Sequence, residues 1–513
     1  MVVNEKLFAV CCTLSLPVLA AGGVTASPSG LAWRVESDGR SLKVESARCS
    51  AMPVNIRWPG HQRNLDQTEL CAFVRFDFAA ETEIEVTAPR PFTNVVVRPF
   101  AKRVRAVRNG ERLRLRLKEP GAYSIELDGR HENLFVFVDA PCDYGVDRTD
   151  RTVRYFGPGE HDVGLIELKA GETLFIDAGA TVYGRVVAKD APRIRILGRG
   201  ILDGSRIRAE PEPLDPKLEA EQRAKGWAIS NVKRFDAIRL DFCDDVEIRG
   251  ITIRDSPLYT IRPVCCDRLR IDGVKIVGNC RYNSDGIDMH NCRDVRIRNC
   301  FVRTFDDSIC VKGFDYVLPE KDMLHEGVMH DTFENVLVEG CTIWTDWGRS
   351  LEIGAETRGR LIRNIVFRDC DIICRCTAQA MDIQNCDQAE VCDVTFEDIR
   401  VEDDGERRGP VLSEHAKDFA SAQRDFLPEL IGAVIHYIPE YSKAGAENRG
   451  RIHDVVFRNV SVTGKRLAGG VLKGFDDAHR VERVSFSGIM FNGRDVTAEF
   501  VKGLEVNAFA KQL

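Results

Sequence analysis

Residues 281–313 read RYNSDGIDMHNCRDVRIRNCFVRTFDDSICVKG. Asp285 lies in an Asn-Ser-Asp-Gly run, and the pair Asp306-Asp307 begins 21 residues later. Between them stands Val295-x-Ile297-x-x-Cys300-x-Val302, two apolar pairs parted by Arg298-Asn299. Alternation within each pair is the period of a β-strand, whose side chains point to opposite faces in turn.

The same spacing recurs in eight copies, beginning at Val246, Leu269, Val295, Val336, Ile365, Val394, Val455 and Val484. Successive copies start 23, 26, 41, 29, 29, 61 and 29 residues apart. A constant core with variable spacers marks a repeat whose loops carry insertions. Just before the third apolar position stands Gly250, Gly273, Asn299, Gly340, Asp369, Asp398, Asn459 or Gly488. Gly, Asn and Asp tolerate left-handed backbone, so each copy is expected to be two short strands around a bend. One copy cannot bury its inner face alone, whereas stacked copies can. The expected fold is all-β, a parallel β-helix with coils about 4.8 Å apart.

Asp285 and Asp306-Asp307 are about one coil apart in sequence, so stacking should place them one above the other. Neighbours on a regular strand face opposite ways, so Asp306 and Asp307 share a cleft only at a bend or bulge. Crowded carboxylates repel, so at least one should retain a proton. An acid beside a carboxylate is the equipment of glycoside hydrolysis. Acids at β-helix corners and calcium-binding clusters have the same composition, and spacing alone does not separate these readings.

The run Asn283-Ser284-Asp285-Gly286-Ile287-Asp288 resembles the Asn-Thr-Asp-Gly motif of glycoside hydrolase family 28, the polygalacturonase family. Asp306-Asp307-Ser308-Ile309 resembles its Asp-Asp-Cys-Ile motif. Gly198–Gly204, Arg234–Ile238 and Ile251–Pro257 extend the resemblance, which covers roughly residues 150–400. It implies a right-handed coil and an inverting hydrolase. Asp306 would be the general acid, with Asp285 and Asp307 holding and deprotonating water. Inversion would place acid and base about 6.5–9.5 Å apart. No cofactor and no metal are implied.

Two departures stand out. The family's Gly-His-Gly appears as Gly348-Arg349-Ser350, without the histidine. Its Arg-Ile-Lys motif, which grips a galacturonate carboxylate, falls near Met381-Asp382-Ile383-Gln384, with neither base. Lys312 resembles a lysine of exo-acting members, and Arg349 is placed to replace some of the lost charge. The expected substrate-binding set is Asn283, Lys312, Trp347, Arg349, Glu356, Asp382, Gln384 and Tyr437. Aromatic residues here, Tyr282 and Trp227 among them, serve equally for stacking on sugars or for packing.

The chain has 513 residues, 44% of them hydrophobic, and a net charge of −7 without long single-sign blocks. No basic face suggests nucleic acid. An acidic balance offers no attraction to polyanionic pectin and favours a neutral or sparsely charged glycan. Residues 1–26 carry Lys6, an apolar run and small residues, the pattern of a secretory signal. Export to the periplasm or medium is expected, with no membrane span in the mature chain and action as a monomer. Of 18 cysteines, Cys300, Cys341 and Cys370 occupy the same inward position in successive copies and read as small buried hydrophobes.

Residues 30–145 hold short alternating segments with Gly and Pro turns, read as a β-sandwich packing on one end of the solenoid. The β-helix is expected over 150–505, with insertions at 205–233, 314–332 and 402–450. A sandwich ahead of a β-helix also resembles glycoside hydrolase family 49, the dextranase and isopullulanase family, which acts on neutral glucans. A β-helix lyase, using calcium and a base such as Lys312, and a non-enzymatic glycan-binding solenoid are the other readings.

Overall fold

The computed structural model describes residues 32–54, 67–211, 216–217, 220, 232–313, 330–403, 408–411, 419–439, 441–442 and 444–513. The expected leader, Trp227 and much of the three insertions lie outside them. The described residues from Val153 onward form a right-handed parallel β-helix. Among the described residues its ladders form one sheet of 12 strands and one of 21, the last strand being Ala510–Gln512, past the expected limit of 505.

The repeat is confirmed position by position. All eight anticipated bend residues have positive φ, from +53° at Asp369 to +81° at Gly250. Their inward neighbours, such as Val246, Ile248, Ile251 and Ile253, are buried in one continuous core. Cys300, Cys341 and Cys370 lie in that core with free thiols. Phe367, Phe396, Phe457 and Phe486 stack nearly parallel at 4.9, 5.0 and 5.3 Å, the rise of one coil per ring.

Two features escaped the repeat reading. A second left-handed residue precedes the first apolar position of every copy: Asp245, Arg268, Asp294, Asn335, Asn364, Asp393, Asp454 and Arg483. Each coil also has a third strand, among them Ile261–Val264, Ile287–His290, Ile309–Gly313, Leu351–Thr357, Met381–Asn385 and Ile431–Ile435. These strands alternate core-facing residues (Ile287, Met289; Ile309, Val311) with outward ones. Their outward face carries the acids.

Two five-stranded sheets ahead of the solenoid enclose a separate core that includes Val35, Val74, Ile84, Leu115, Ile125 and Val136. The sequence led to the expectation that this sandwich would pack on one end of the solenoid, but its contacts are elsewhere. It lies along the flank, because the second-strand ladder turns large apolar residues outward there. Phe135 and Phe137 meet Phe301 at 4.7 and 5.0 Å, and Phe135 meets Trp344 edge-on at 5.8 Å. Buried Arg98 joins Glu126 at 3.1 Å and the solenoid's Glu402 at 2.6 Å. Asp139 likewise receives Arg75, Arg199 and Lys275. The sandwich also sends Val54 into a small cluster with Tyr282, Phe305 and Trp347 beside the acids.

Candidate active site

Asp285 and the Asp306-Asp307 pair sit in bends just before the third strands Ile287–His290 and Ile309–Gly313. These strands pair in parallel, Ile287 against Ile309 and His290 against Lys312. Gly286 N donates to Asp307 O at 2.8 Å, which locks the two bends together. A Cβ on Gly286 would lie 2.3 Å from Ser308 O, so the Asn-Ser-Asp-Gly run needs its glycine for this close approach.

Gly348 does the same from the next coil. A Cβ there would fall 2.3 Å from Asp307 N and 2.5 Å from Asp307 Oδ1. The backbone can then pass close enough for Arg349 N to donate to Asp307 Oδ1 at 2.8 Å. The glycine of Gly348-Arg349-Ser350 is thus a spatial requirement of the acid pair.

The acids converge on one cation. Lys312 Nζ lies 3.6 Å from Asp285 Oδ2, 3.6 Å from Asp307 Oδ2, 3.7 Å from Asp288 Oδ2 and 3.5 Å from Glu356 Oε2. Asp285, Asp288, Asp306 and Asp307 are all at least nine-tenths buried. Asp285 Oδ1 and Asp306 Oδ2 have no hydrogen-bond partner among the described residues.

Their proton affinities diverge. Burial, then the neighbouring Asp307 charge, pushes Asp306 up to about 7. Burial and the Asp306 charge push Asp285 well above the carboxylate range. Asp307 is also buried, but Lys312, Arg349 and the Arg349 N–H outweigh burial and hold it below that range. Adjacent residues of equal chemistry thus differ in charge because one of them faces the cations.

The other expected residues are distributed around this centre. Asn283 has left-handed backbone, and its Oδ1 accepts from Arg234 at 3.2 Å. Trp347 stacks on Phe305 at 6.0 Å with one face covered. Arg349 Nε donates to Asp382 Oδ2 at 2.7 Å and lies 3.5 Å from Glu352 Oε1, so its charge is already matched. Gln384 Nε2 donates to Glu352 Oε1 at 3.2 Å. Tyr437 is exposed and lies under the Arg449 guanidinium at 5.4 Å.

Four residues of the site, Asp288, His290, Glu352 and Tyr259, were not among those expected from the sequence. All but Tyr259 are outward residues of third strands: Asp288 pairs with Cys310, and Cys310 with Glu352. A charge between two core residues, as in Leu351-Glu352-Ile353, is the signal that would have found them. Tyr259 stands between Arg262, 4.7 Å from its ring, and Lys312, 6.0 Å away.

Two described groups bring ligating atoms within 4.8 Å of one another: Asp307, Cys310 and Glu352 here, and Glu390, Cys392 and His453 on the other long sheet. In the first, burial keeps the Cys310 thiol protonated, which makes it a poor ligand.

Residues 211–410 match the family model of glycosyl hydrolases family 28, a stretch that contains Asp285, Asp306 and Asp307. That stretch is similar to the family. A probable polygalacturonase of Vitis vinifera is 31% identical over 110 residues, 20% of this chain and 22% of the relative. A polygalacturonase of Medicago sativa is 24% identical over 212 residues, 40% of this chain and 44% of the relative. The chain spans less than half the length of these curated relatives. Among solved structures, Dex49A from Penicillium minioluteum has a TM-score of 0.60 at 11% identity, over 94% of this chain and 93% of that one. That likeness shows the fold, and its coverage takes in both the sandwich and the solenoid. The family match and the polygalacturonase relatives support a glycoside hydrolase.

Proposed function

We propose that the protein is an inverting glycoside hydrolase of the polygalacturonase type. Asp306 is its acid, Asp307 its base, and Asp285 the second anchor of the attacking water. The observation that carries this reading is the split between Asp306 and Asp307: one carboxyl holds a proton to about pH 7, while its neighbour is held ionised by Lys312 and Arg349. In the reaction the Asp306 proton passes to the glycosidic oxygen as the bond from the anomeric carbon breaks. Asp307 takes a proton from water, whose oxygen bonds that carbon from the opposite face. Water is added across the bond and no other reactant is needed.

The same geometry disfavours the alternatives. Lys312 is buried, yet its four carboxylate neighbours raise its proton affinity well above the usual range. It stays charged, so it is no base for a lyase. A binding solenoid with acids as corner fillers would turn them apart, whereas Asp285 and Asp307 both face Lys312 at 3.6 Å. Asp382 and Gln384 stand where the resemblance expects carboxylate-gripping bases, so the sugar there offers hydroxyls rather than a uronate. Export through the residues 1–26 leader belongs to this reading, and the N-terminal sequence of the mature protein checks it.

The test is a panel of pectic, rhamnogalacturonan, glucan and galactan oligosaccharides, with product anomers followed by NMR. The expected first product has the anomeric configuration opposite to that of the substrate. An unsaturated product, or retention, overturns the assignment.

A further inference from the structure

The solenoid carries a second cluster of ligating side chains, on the 12-stranded sheet, whereas the acids of the candidate active site lie beside strands of the 21-stranded one. Glu390 and Cys392 are two apart on the strand Glu390–Glu397 and so share a face. His453 stands opposite Cys392 on the neighbouring strand Arg451–Arg458. Val391 and Ile452 between them are core residues, so the three face outward. One ligating atom from each falls within 4.8 Å of the others.

His453 is held as a ligand is held. Its Nδ1 lies 2.7 Å from Asp454 Oδ2, and a carboxylate only accepts, so Nδ1 carries the hydrogen. Arg483 Nη2 donates to the same oxygen at 2.7 Å, and its 2.8 Å approach to Nδ1 follows from that shared partner. Nε2 is left to face Glu390 Oε1 at 2.7 Å, a gap bridged by a proton or by a cation. A carboxylate behind an imidazole in this way orients metal-binding histidines.

The charge around the cluster is unmatched. Among the described residues Glu390 pairs with no lysine or arginine, and the nearby arginines are committed elsewhere: Arg363 to Glu334 at 2.8 Å and Arg451 to Glu482 at 3.3 Å. Burial, then the Asp393 and Glu390 charges, push the Cys392 thiol up to about 12. A cation between Glu390 and Cys392 offsets those charges. Cys310 differs, because Lys312 already stands among its carboxylate neighbours.

We propose that Glu390, Cys392 and His453 form a zinc site, with water as the fourth ligand. Sulfur, imidazole and a single carboxylate suit a borderline-soft divalent ion, whereas magnesium and calcium take all-oxygen sets. Zinc bonds of about 2.0–2.3 Å set tetrahedral ligand atoms about 3.3–3.8 Å apart, a spacing this cluster reaches with small side-chain movements. A groove lined by Asp393, Thr395, Asp454 and Arg483 gives a path from solvent. On binding, the Cys392 proton passes to the buffer and the sulfur electron pair bonds the ion, with no change of oxidation state. Cys392 and His453 are 61 residues apart in the chain but adjacent in the sheet, so the ion clamps the two coils that the longest spacer separates.

The experiment uses the full chain, free of any histidine tag and stripped of metal, titrated with zinc by calorimetry and with cobalt(II) by absorbance. One zinc per chain is expected, and cobalt should show a thiolate charge-transfer band that Cys392→Ser abolishes. His453→Gln should weaken zinc binding about 100-fold or more, and Asp454→Asn about 10- to 100-fold. Calcium and magnesium should not compete. Zinc should raise the melting temperature of the wild-type chain and leave that of Cys392→Ser unmoved. In the wild-type chain, which needs no variant to fold, zinc should slow alkylation of Cys392 about tenfold or more, read by mass spectrometry of its peptide.

A cobalt–thiolate band that survives Cys392→Ser puts the ion on another thiol and overturns the site. So does zinc affinity unchanged in His453→Gln, or equal alkylation of Cys392 with and without zinc. If His453→Gln lowers the melting temperature while zinc leaves the wild-type value unmoved, His453 only joins Glu390 and Asp454 as an ion pair and the metal site fails.

Discussion

Replacing Lys312 with Met removes the cation at the centre of the acids and keeps most of its apolar stem. At 3.6 Å and an effective dielectric near 20, one Lys–carboxylate pair is worth about 4–5 kcal/mol. At about 1.4 kcal/mol per pH unit, that pair alone displaces a carboxyl by up to about three units before relaxation. Asp307 is the residue most exposed to this loss, because Lys312 is the largest of the influences that hold it ionised. In the variant it should bind a proton at the pH where Asp306 does, which removes the base. The acidic limb of kcat/KM is expected to move up by at least one unit, with turnover below pH 6 falling about 100-fold, as for the loss of a general base. Stability should change in sign as well as size. In the wild-type chain Asp307 has a folded proton affinity below its unfolded one, so it stabilises above the unfolded pKa and loses this as pH falls. In Lys312→Met the buried carboxyls lie above their unfolded values, so stability is retained at low pH and lost as pH rises. Leaving buried carboxylates without their partner costs about 3–5 kcal/mol at neutral pH. Urea unfolding at pH 5 and pH 8, beside a pH–rate profile, reads both effects. An unchanged acidic limb, or equal destabilisation at both pH values, would refute the role given to Lys312.

Three further outcomes are expected. Asp306→Asn should lower kcat about 10²- to 10⁴-fold with an unchanged melting temperature, and the basic limb near pH 7 should disappear from the rate profile. Gly348→Ala forces a Cβ to within 2.3 Å of Asp307 N, so unfolding free energy should fall by about 1–3 kcal/mol and activity should fall with it. Activity unchanged in that variant would show that the acid pair tolerates displacement. At the bend, Asn299→Val should destabilise by about 1–2 kcal/mol while Asn299→Gly is nearly neutral, a contrast that denaturant melts resolve.

How far the residues alone led can be judged at particular positions. The solenoid was legible because its core repeats a short local pattern. Val295, Ile297, Cys300 and Val302 alternate, a left-handed residue marks the bend, and both signals lie within a few residues of each other. The third strand was not legible, because Ile287-x-Met289 or Leu351-x-Ile353 is too short to stand out and lies a variable distance beyond the bend. The flank position of the sandwich was also hidden. It depends on Phe301 and Trp344 facing outward, which only the register of the second ladder reveals.

By itself the sequence determined that acids would lie one coil apart on an all-β solenoid, since a constant repeat converts distance along the chain into position on a stack. Only the tertiary structure decided what each acid is. Lys312 reaches four carboxylates from three coils, and Arg349 binds Asp307 through its backbone and Asp382 through its side chain. Proton affinity follows from burial and from charges a few ångströms away in space, and those neighbours are set by packing between coils, not by the order of residues within one.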